Sequence, residues 1–555
     1  MKKNYLLFAA LCCLCSVTNA QKKSKSSTTA SAYPATVSRP KLVVGLVVDQ
    51  MRWDYLYRYY DRYAEGGFKR MINEGFSVEN TYIPYTPTYT AVGHTCIYTG
   101  SIPAITGIIG NDWYDPQLKK GVYCAEDSTV TGVGSSTPAG KMSPKNLLST
   151  TITDELRIAT NFKGKVIGIS LKDRGSILPA GHTPTGAYWY DGQTGDWITS
   201  TYYMNELPTW MQNYNKLKMA DKYYDQNWNT LYPINTYTES TSDNKPYEGK
   251  TRGEEAPVFP HPLKLYAGKN YDMIRSTPYG NTITLDLAKK AVEAESLGKD
   301  NITDFLAVSC SSTDYIGHQY GPNSIEAEDT YLRLDKDIAD FFSYLDKTVG
   351  KGNYLVFLSA DHGAAHVPGY MTENKMHAGV VDDKAVVTGL NSNLESKFKI
   401  KKPVMMTMNN QIIFDHNNPD LAKLDFTAMK SAAIDYLRTI DGFADAVDLS
   451  RIAESTLPAI QKEMITNGYN ARLSGDIYYI LQPNWFNGGK TGTTHGNWNP
   501  YDAHIPLVFM GWNVKPGKTN KTHHMTDIAP TIAALLHIQM PSGNVGEPIT
   551  ELTHQ

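Results

Sequence analysis

Three aspartates and three histidines fall at points where the fold of this chain can gather them. Asp49 closes the apolar run Lys41–Asp49, KLVVGLVVD. The run Phe305–Ser309 leads into Asp314-Tyr-Ile-Gly-His318, and Tyr354–Ser359 runs on into Ala-Asp361-His362-Gly363. His495 stands in Gly492-Thr-Thr-His-Gly496, ahead of the last apolar run, Ile505–Met510. Carboxylate oxygens mixed with neutral imidazoles suit zinc or another borderline divalent ion. Each signal alone has an ordinary explanation. A strand-end Asp is often a turn or helix cap, Asp-His-Gly reads as a turn, and Asp314 with His318 at i, i+4 are helix neighbours. What argues against those explanations is that three strand ends converge on one ligand chemistry.

The runs that deliver these residues are continuous and rich in β-branched side chains, as in strands buried on both faces of a parallel sheet. Lys165–Leu171 (KVIGISL) is another. Helical stretches lie between them. Ser324 to Thr348 carries Leu332, Ile338, Phe341, Phe342 and Leu345 close to a 3.6-residue period, and Asp527–Leu536 has Pro530 in its first turn. Strands alternating with helices predict a layered α/β sheet, and open sheets of this kind bind ligands at the carboxyl ends of their strands. Residues 188–275 are dense in Tyr, Trp, Asn and Pro, and residues 365–500 mix a helix near 426–439 with short polar segments. Both read as insertions that shape a pocket.

The 555 residues fit a large single-site enzyme with insertions, or two to four domains. Hydrophobic residues at 41% exclude wholesale disorder, and 53 Lys+Arg against 56 Asp+Glu give no basic field, so nucleic acid is not expected as a main partner. Met1–Ala20 has the pattern of a cleaved secretory signal; losing Lys2 and Lys3 takes the net charge from −3 to −5. The lipoprotein alternative is weakened by Leu14 directly before Cys15. Residues 21–40 read as a flexible leader, and no later run is long enough to span a membrane. An exported, soluble monomer, periplasmic or secreted, is expected. Cys96, Cys124 and Cys310 remain after the signal, allowing at most one internal disulfide, and none forms a CxxC pair.

Taken as an ordered set, VVDQMR (Val47–Arg52), PTYTAVGHT (Pro87–Thr95), STDYIGH (Ser312–His318), SADHG (Ser359–Gly363) and THG (Thr494–Gly496) resemble the alkaline phosphatase superfamily. The resemblance is to its branch of nucleotide pyrophosphatase/phosphodiesterases and phosphate-irrepressible alkaline phosphatases, and runs from about Lys41 to Pro548. It implies an α/β/α sandwich around a mostly parallel sheet and two zinc ions. Asp49, Thr90, Asp361 and His362 match the ligands of one ion, and Asp314, His318 and His495 those of the other. Thr90 matches the nucleophile, which the sequence alone does not separate from Thr86, Thr88 and Thr95. A threonine hydroxyl needs activation, and a metal ion provides it. Asn111, in GIIGND, matches an asparagine that donates to a phosphoryl oxygen. Lys172 and Arg174, in SLKDRG, match a pair found in monoesterases and lacking in diesterases. A monoester carries one more negative charge, so two further cations favour it. The resemblance thus implies a phosphate monoesterase acting on small molecules through a covalent phosphothreonine, with a phosphodiesterase as the alternative.

Other classes fit poorly. A sulfatase needs a modifiable Cys or Ser in a C/S-x-P/A-x-R context that is lacking at Cys96, Cys124 and Cys310. The serine acyl-transfer set Ser38–Lys41, Ser242-Asp243-Asn244 and Lys490-Thr491-Gly492 fails because its first motif lies in the leader, with Pro40 inside it. An exported nutrient-binding protein is suggested only by the Tyr- and Trp-rich insertion, and has no need of such metal clusters. His94, His182, His366, His377 and His504 match no ligand position and are expected to be structural.

Overall fold

The computed structural model describes residues 38–251 and 253–554, so the signal sequence and nearly all of the leader lie outside the described residues. The chain opens with strands β1 (Leu42–Val48) and β2 (Phe76–Tyr82) and helix α1 (Thr90–Thr99). Next come β3 (Val166–Ser170), α2 (Asp173–Ala180), β4 (Gly186–Asp191) and β5 (Asp196–Ser200). They are followed by α3 (Tyr279–Ala294), β6 (Asp304–Cys310), α4 (Ser312–Tyr320), α5 (Ile325–Leu345) and β7 (Tyr354–Ser359). An excursion carries α6 (Asp383–Phe398), β8 (Val404–Met408), β9 (Gln411–Phe414), α7 (Phe426–Leu437), β10 (Phe443–Asp448) and β11 (Ile477–Leu481). The chain then returns through β12 (Leu507–Gly511), β13 (Gly517–His524) and α8 (Ile528–Leu536).

The central sheet runs β2-β12-β7-β1-β6-β3-β4-β5. Pairing is parallel from β7 to β4, and every residue of β1, β3, β6 and β7 is buried. That is why these strands read as unbroken apolar runs rather than alternating ones. Outside this middle the sheet is mixed, with β13 parallel to β2 at one edge. β12 lies antiparallel between β7 and β2, and the short β4–β5 return is an antiparallel hairpin, so residues 186–200 extend the main sheet. Pro506 has no N–H for a ladder and splits the last run into His504–Ile505 and β12. Among the helices, α5 is capped by Ser324 and buries Leu332, Ile338, Phe341, Phe342 and Leu345, the positions its periodicity selects.

The excursion packs a core of its own. Its antiparallel sheet, β8-β9-β11-β10, lies against α6 and α7 through Leu390, Leu394, Ile412, Phe414, Met429 and Leu437. Cys96, Cys124 and Cys310 are buried free thiols, so no disulfide joins them. No helix among the described residues is long and apolar enough to cross a membrane.

Candidate active site

Register sets the level of the site. Val47 pairs with Ser359 and Val48 with Cys310, while Ser170 pairs with Ser309. The next residues along these strands therefore emerge together at one sheet edge: Asp49, Lys172, the start of α4, and Asp361-His362. Helix α4 carries Asp314 and His318 on one face. Thr90 is the first residue of α1, and Gly93 lets that first turn close on Asp361. A Cβ at Gly93 would meet the Asp361 carbonyl at 2.3 Å and its Cβ at 2.6 Å. The Thr90 hydroxyl consequently lies 3.3 Å from His362 Nε2.

The three histidines share one orientation logic. His318 Nδ1 donates to the Thr493 carbonyl at 2.8 Å, His362 Nδ1 to that of Gly363 at 3.0 Å, and His495 Nδ1 to that of Thr88 at 2.6 Å. A carbonyl can only accept, so in each neutral ring the proton is on Nδ1 and Nε2 carries a lone pair. Those lone pairs face carboxylates. His318 Nε2 is 3.2 Å and His495 Nε2 3.7 Å from Asp314 Oδ1, and His362 Nε2 is 3.3 Å from Asp361 Oδ2 and 3.7 Å from Asp49 Oδ1. Lone pair against carboxylate is repulsive unless a cation lies between them.

Charge points the same way. Asp49, Asp314 and Asp361 are buried beside a single lysine. Lys172 Nζ is 2.7 Å from Asp49 Oδ2 and 2.6 Å from Asp314 Oδ2. Asp49 Oδ1 and Asp361 Oδ2 nevertheless lack a hydrogen bond. Burial, then the neighbouring Asp361, pushes the Asp49 carboxyl well up, and burial with the adjacent His362 and His318 pushes His495 well down. Burial opposes ionisation of Asp314, but His318 and Lys172 outweigh it and hold that carboxyl low. Orphaned buried carboxylate oxygens facing unprotonated imidazoles form a donor set that divalent cations fit. Two compact groups stand out among the described residues: Asp49, Asp361 and His362, and Asp314, His362 and His495. His362 is within reach of both, while His318 sits at the outer edge of the second, where its side chain is one-third exposed.

The remaining predicted residues ring this cluster. Asn111 Oδ1 accepts from the Ala91 N–H at 2.9 Å, satisfying one open donor of the α1 terminus and leaving the amide nitrogen to donate elsewhere. Arg174 Nη1 donates to Tyr123 Oη at 3.1 Å, Tyr123 in turn bonds to Asp173, and Arg174 Nε is buried without a partner. Two contributors are new. Gln50 adopts the left-handed conformation, φ 64°, donating its backbone N–H to Asp361 Oδ1 at 3.1 Å and its side-chain amide to Asp314 Oδ1 at 2.8 Å. It thereby ties a carboxylate of one group to a carboxylate of the other. Its sequence signal is its place directly after Asp49, inside the motif VVDQMR. His94, expected to be structural, bonds to the Thr90 carbonyl at 2.9 Å and Ser309 Oγ at 2.8 Å, with Nδ1 3.3 Å from Asp361 Oδ2. It braces the site from beneath.

Residues 43–505 match the model of the family described as type I phosphodiesterase / nucleotide pyrophosphatase. The chain is 59% identical to "Alkaline phosphatase PhoV" of Synechococcus elongatus over the whole of both chains. It is 57% identical to a "Calcium-transporting ATPase" of Myroides odoratus over 94% of this chain and 96% of that one. It is 53% identical to "Alkaline phosphatase PafA" of Elizabethkingia meningoseptica over 93% and 95%. A crystal structure of PafA superposes with a TM-score of 0.91 at 52% identity, covering 93% of this chain and 99% of that one. A second PafA structure, with one threonine, one asparagine, one lysine and one arginine replaced, matches at 0.90.

Proposed function

The chain belongs to the type I phosphodiesterase / nucleotide pyrophosphatase family, and we propose that within it the protein is an alkaline phosphatase. It releases inorganic phosphate from small phosphate monoesters through a phosphothreonine at Thr90. The observation that carries this reading is Lys172, an ammonium fixed between Asp49 and Asp314 where a doubly charged phosphoryl group would be bound. Identity of 53 to 59% to proteins named alkaline phosphatases supports it. So does the PafA variant, whose four replaced residue types are those of Thr90, Asn111, Lys172 and Arg174.

Asp49, Thr90, Asp361 and His362 would hold one zinc, and Asp314, His318 and His495 the other. Bound zinc supplies positive charge and Lewis acidity at the attacking and leaving oxygens. The chain's own groups do the rest. The α1 terminus and Gly93 fix Thr90 Oγ1, which bonds to phosphorus as the ester oxygen departs; the threonine proton ends on the alcohol product. Asn111, Lys172 and Arg174 hold the nonbridging oxygens, so positioning and electrostatics supply most of the acceleration. Water then cleaves the Thr90 ester from the opposite side, a proton returns to the threonine, and two inversions leave the configuration at phosphorus retained.

The name of the Myroides relative points to ATP as a phosphoryl donor, and loss of its terminal phosphate is the same transfer to Thr90. A phosphodiesterase reading draws on the family description; the extra cations Lys172 and Arg174 weigh against it. Export rests on the pattern of the first twenty residues. The deciding experiment is hydrolysis of matched aryl phosphate mono- and diesters, before and after chelation and with zinc restored. A zinc-dependent preference for the monoester is expected. Preference for the diester would move the function to phosphodiesterase, and zinc binding without turnover would favour a binding protein.

A further inference from the structure

The excursion between β7 and β12 touches the segments bearing Thr90, Asn111 and His495. β8 and β9 pair with Met408 opposite Gln411, leaving a two-residue turn of Asn409 and Asn410 with φ of 56° and 58°. Both residues are in the left-handed region that a tight hairpin of this type demands and that asparagine tolerates. The tip then reaches in two directions. Asn409 Nδ2 donates to the Asp112 carbonyl at 2.8 Å, one residue past Asn111. Asn410, buried, donates from Nδ2 to the Gly496 carbonyl at 3.1 Å, one residue past His495, and its Oδ1 accepts from Asn487 at 3.3 Å. Gly110 makes the first contact possible, because a Cβ there would meet Asn409 Nδ2 at 2.5 Å.

Two further contacts fix the hairpin in place. Met408 packs on the apolar cluster of Ile108, Ile109, Trp113 and Ala91, the last being the residue after Thr90. Tyr478 on β11 shares a 2.7 Å hydrogen bond with Thr86, whose segment leads into α1. The side chain of Asn111, held by the Ala91 N–H, is thus flanked by a backbone carbonyl that the hairpin tip pins.

We infer that Asn409 is a positioning residue for phosphoryl binding: through the Asp112 carbonyl it fixes the segment that aims the Asn111 amide at a phosphoryl oxygen, with Asn410 anchoring the same turn on the His495 loop. This rests on the proposed role of Asn111 and adds that a separate packing unit sets its aim. Small displacements of a donor lower phosphoryl binding steeply, so the effect belongs in affinity for phosphate rather than in metal retention.

Asn409→Gly keeps the left-handed turn and removes only the amide. In the zinc-loaded protein it is expected to weaken inorganic phosphate binding, measured by calorimetry, by about tenfold, with zinc content and melting temperature unchanged. On an Asn111→Ala background the same substitution should cost nothing further, because the donor it positions is gone. A tenfold loss that persists on that background, or unaltered phosphate affinity in Asn409→Gly, would overturn the assignment. If Asn409→Gly lowers zinc content instead, the hairpin supports the metal cluster and the inference also fails. Phosphate binding is read without turnover, so an inactive but phosphate-binding parent protein would count against the proposed function and leave this test intact.

Discussion

Lys172 Nζ lies 2.6 Å from Asp314 and 2.7 Å from Asp49, so one ammonium spans a carboxylate from each of the two candidate metal-binding groups. Burial opposes its charge, yet Asp314 and Asp49 hold it firmly protonated. In the proposed function this fixed cation would sit where charge accumulates on the transferring phosphoryl group. Replacing Lys172 and Arg174 together with Ala should lower kcat/KM for an aryl monoester by roughly 100-fold or more, and for the matched diester by far less. Equal losses on the two substrates would mean that the pair does not read the extra charge.

Thr90→Ala removes the attacking oxygen and leaves the carboxylates and imidazoles in place. Turnover should fall by about 1,000-fold or more while zinc content stays at the parental level. Trapping with radiolabelled phosphate should label the parent chain and not the variant. Unchanged turnover would exclude Thr90 as the nucleophile.

Much of this candidate site was legible in the sequence because the proposed ligands follow strands buried on both faces, which leave continuous apolar runs with a polar residue at the end. Asp49 and Asp361 were visible for that reason, as was the helical pair Asp314 and His318. His495, on a loop far along the chain, was separable from other histidines only through the ordered motif set. Gln50 was not legible, since its role depends on a left-handed backbone and on a partner 264 positions away. The antiparallel flanks of the sheet were hidden for a similar reason. A buried strand looks the same whichever direction its neighbour runs, and only Pro506 marked the break before β12.

His495 stacks on His362 with ring centroids 3.4 Å apart, yet in the proposed assignment the two rings serve different zinc ions. Removing it should loosen one zinc and spare the other. In a chelator competition, His495→Ala should release one equivalent at about 10- to 100-fold lower chelator and the second as in the parent. Full retention of both ions would mean that another histidine completes the set.

Gln50→Leu keeps the backbone N–H bond to Asp361 and deletes the amide that donates to Asp314 Oδ1. The substitution should weaken the Asp314-side zinc by about tenfold, as loss of an outer hydrogen bond to a ligand does. Gln50→Glu should be worse, since it adds a carboxylate beside Asp314. Identical zinc release from the parent and the Leu variant would show that Gln50 orients nothing. Gln50→Gly would relieve the left-handed backbone and separates strain from hydrogen bonding.

A second buried charge group, near His318, makes stability sensitive to alkaline pH. His261 is 2% exposed, with Nδ1 2.9 Å from Glu254 and Nε2 3.2 Å from Glu326. Trp228, Phe259 and Tyr320 pack round the ring, with Tyr320 Oη 3.5 Å from Nδ1. Burial opposes a charged imidazole here, but the two carboxylates outweigh it and raise its pKa to about 9. Glu248, raised to about 9 by burial and then by Glu326, completes the group with Asp243 beyond it. Both folded pKa values exceed the ordinary ones. Their contribution to stability is therefore greatest at low pH and is lost as pH rises through about 9. For His261, a shift of this size from an ordinary value near 6.5 corresponds to about 3 kcal/mol at most. The segment so held also donates the Gly249 N–H to the Gln319 carbonyl at 2.7 Å, next to His318. The melting temperature should fall between pH 7 and pH 10. His261→Gln, which cannot take up the proton, should melt lower at pH 7 and show a flatter fall. A variant that is equally stable at pH 7 and loses stability with pH as steeply as the parent would show that His261 does not carry this charge.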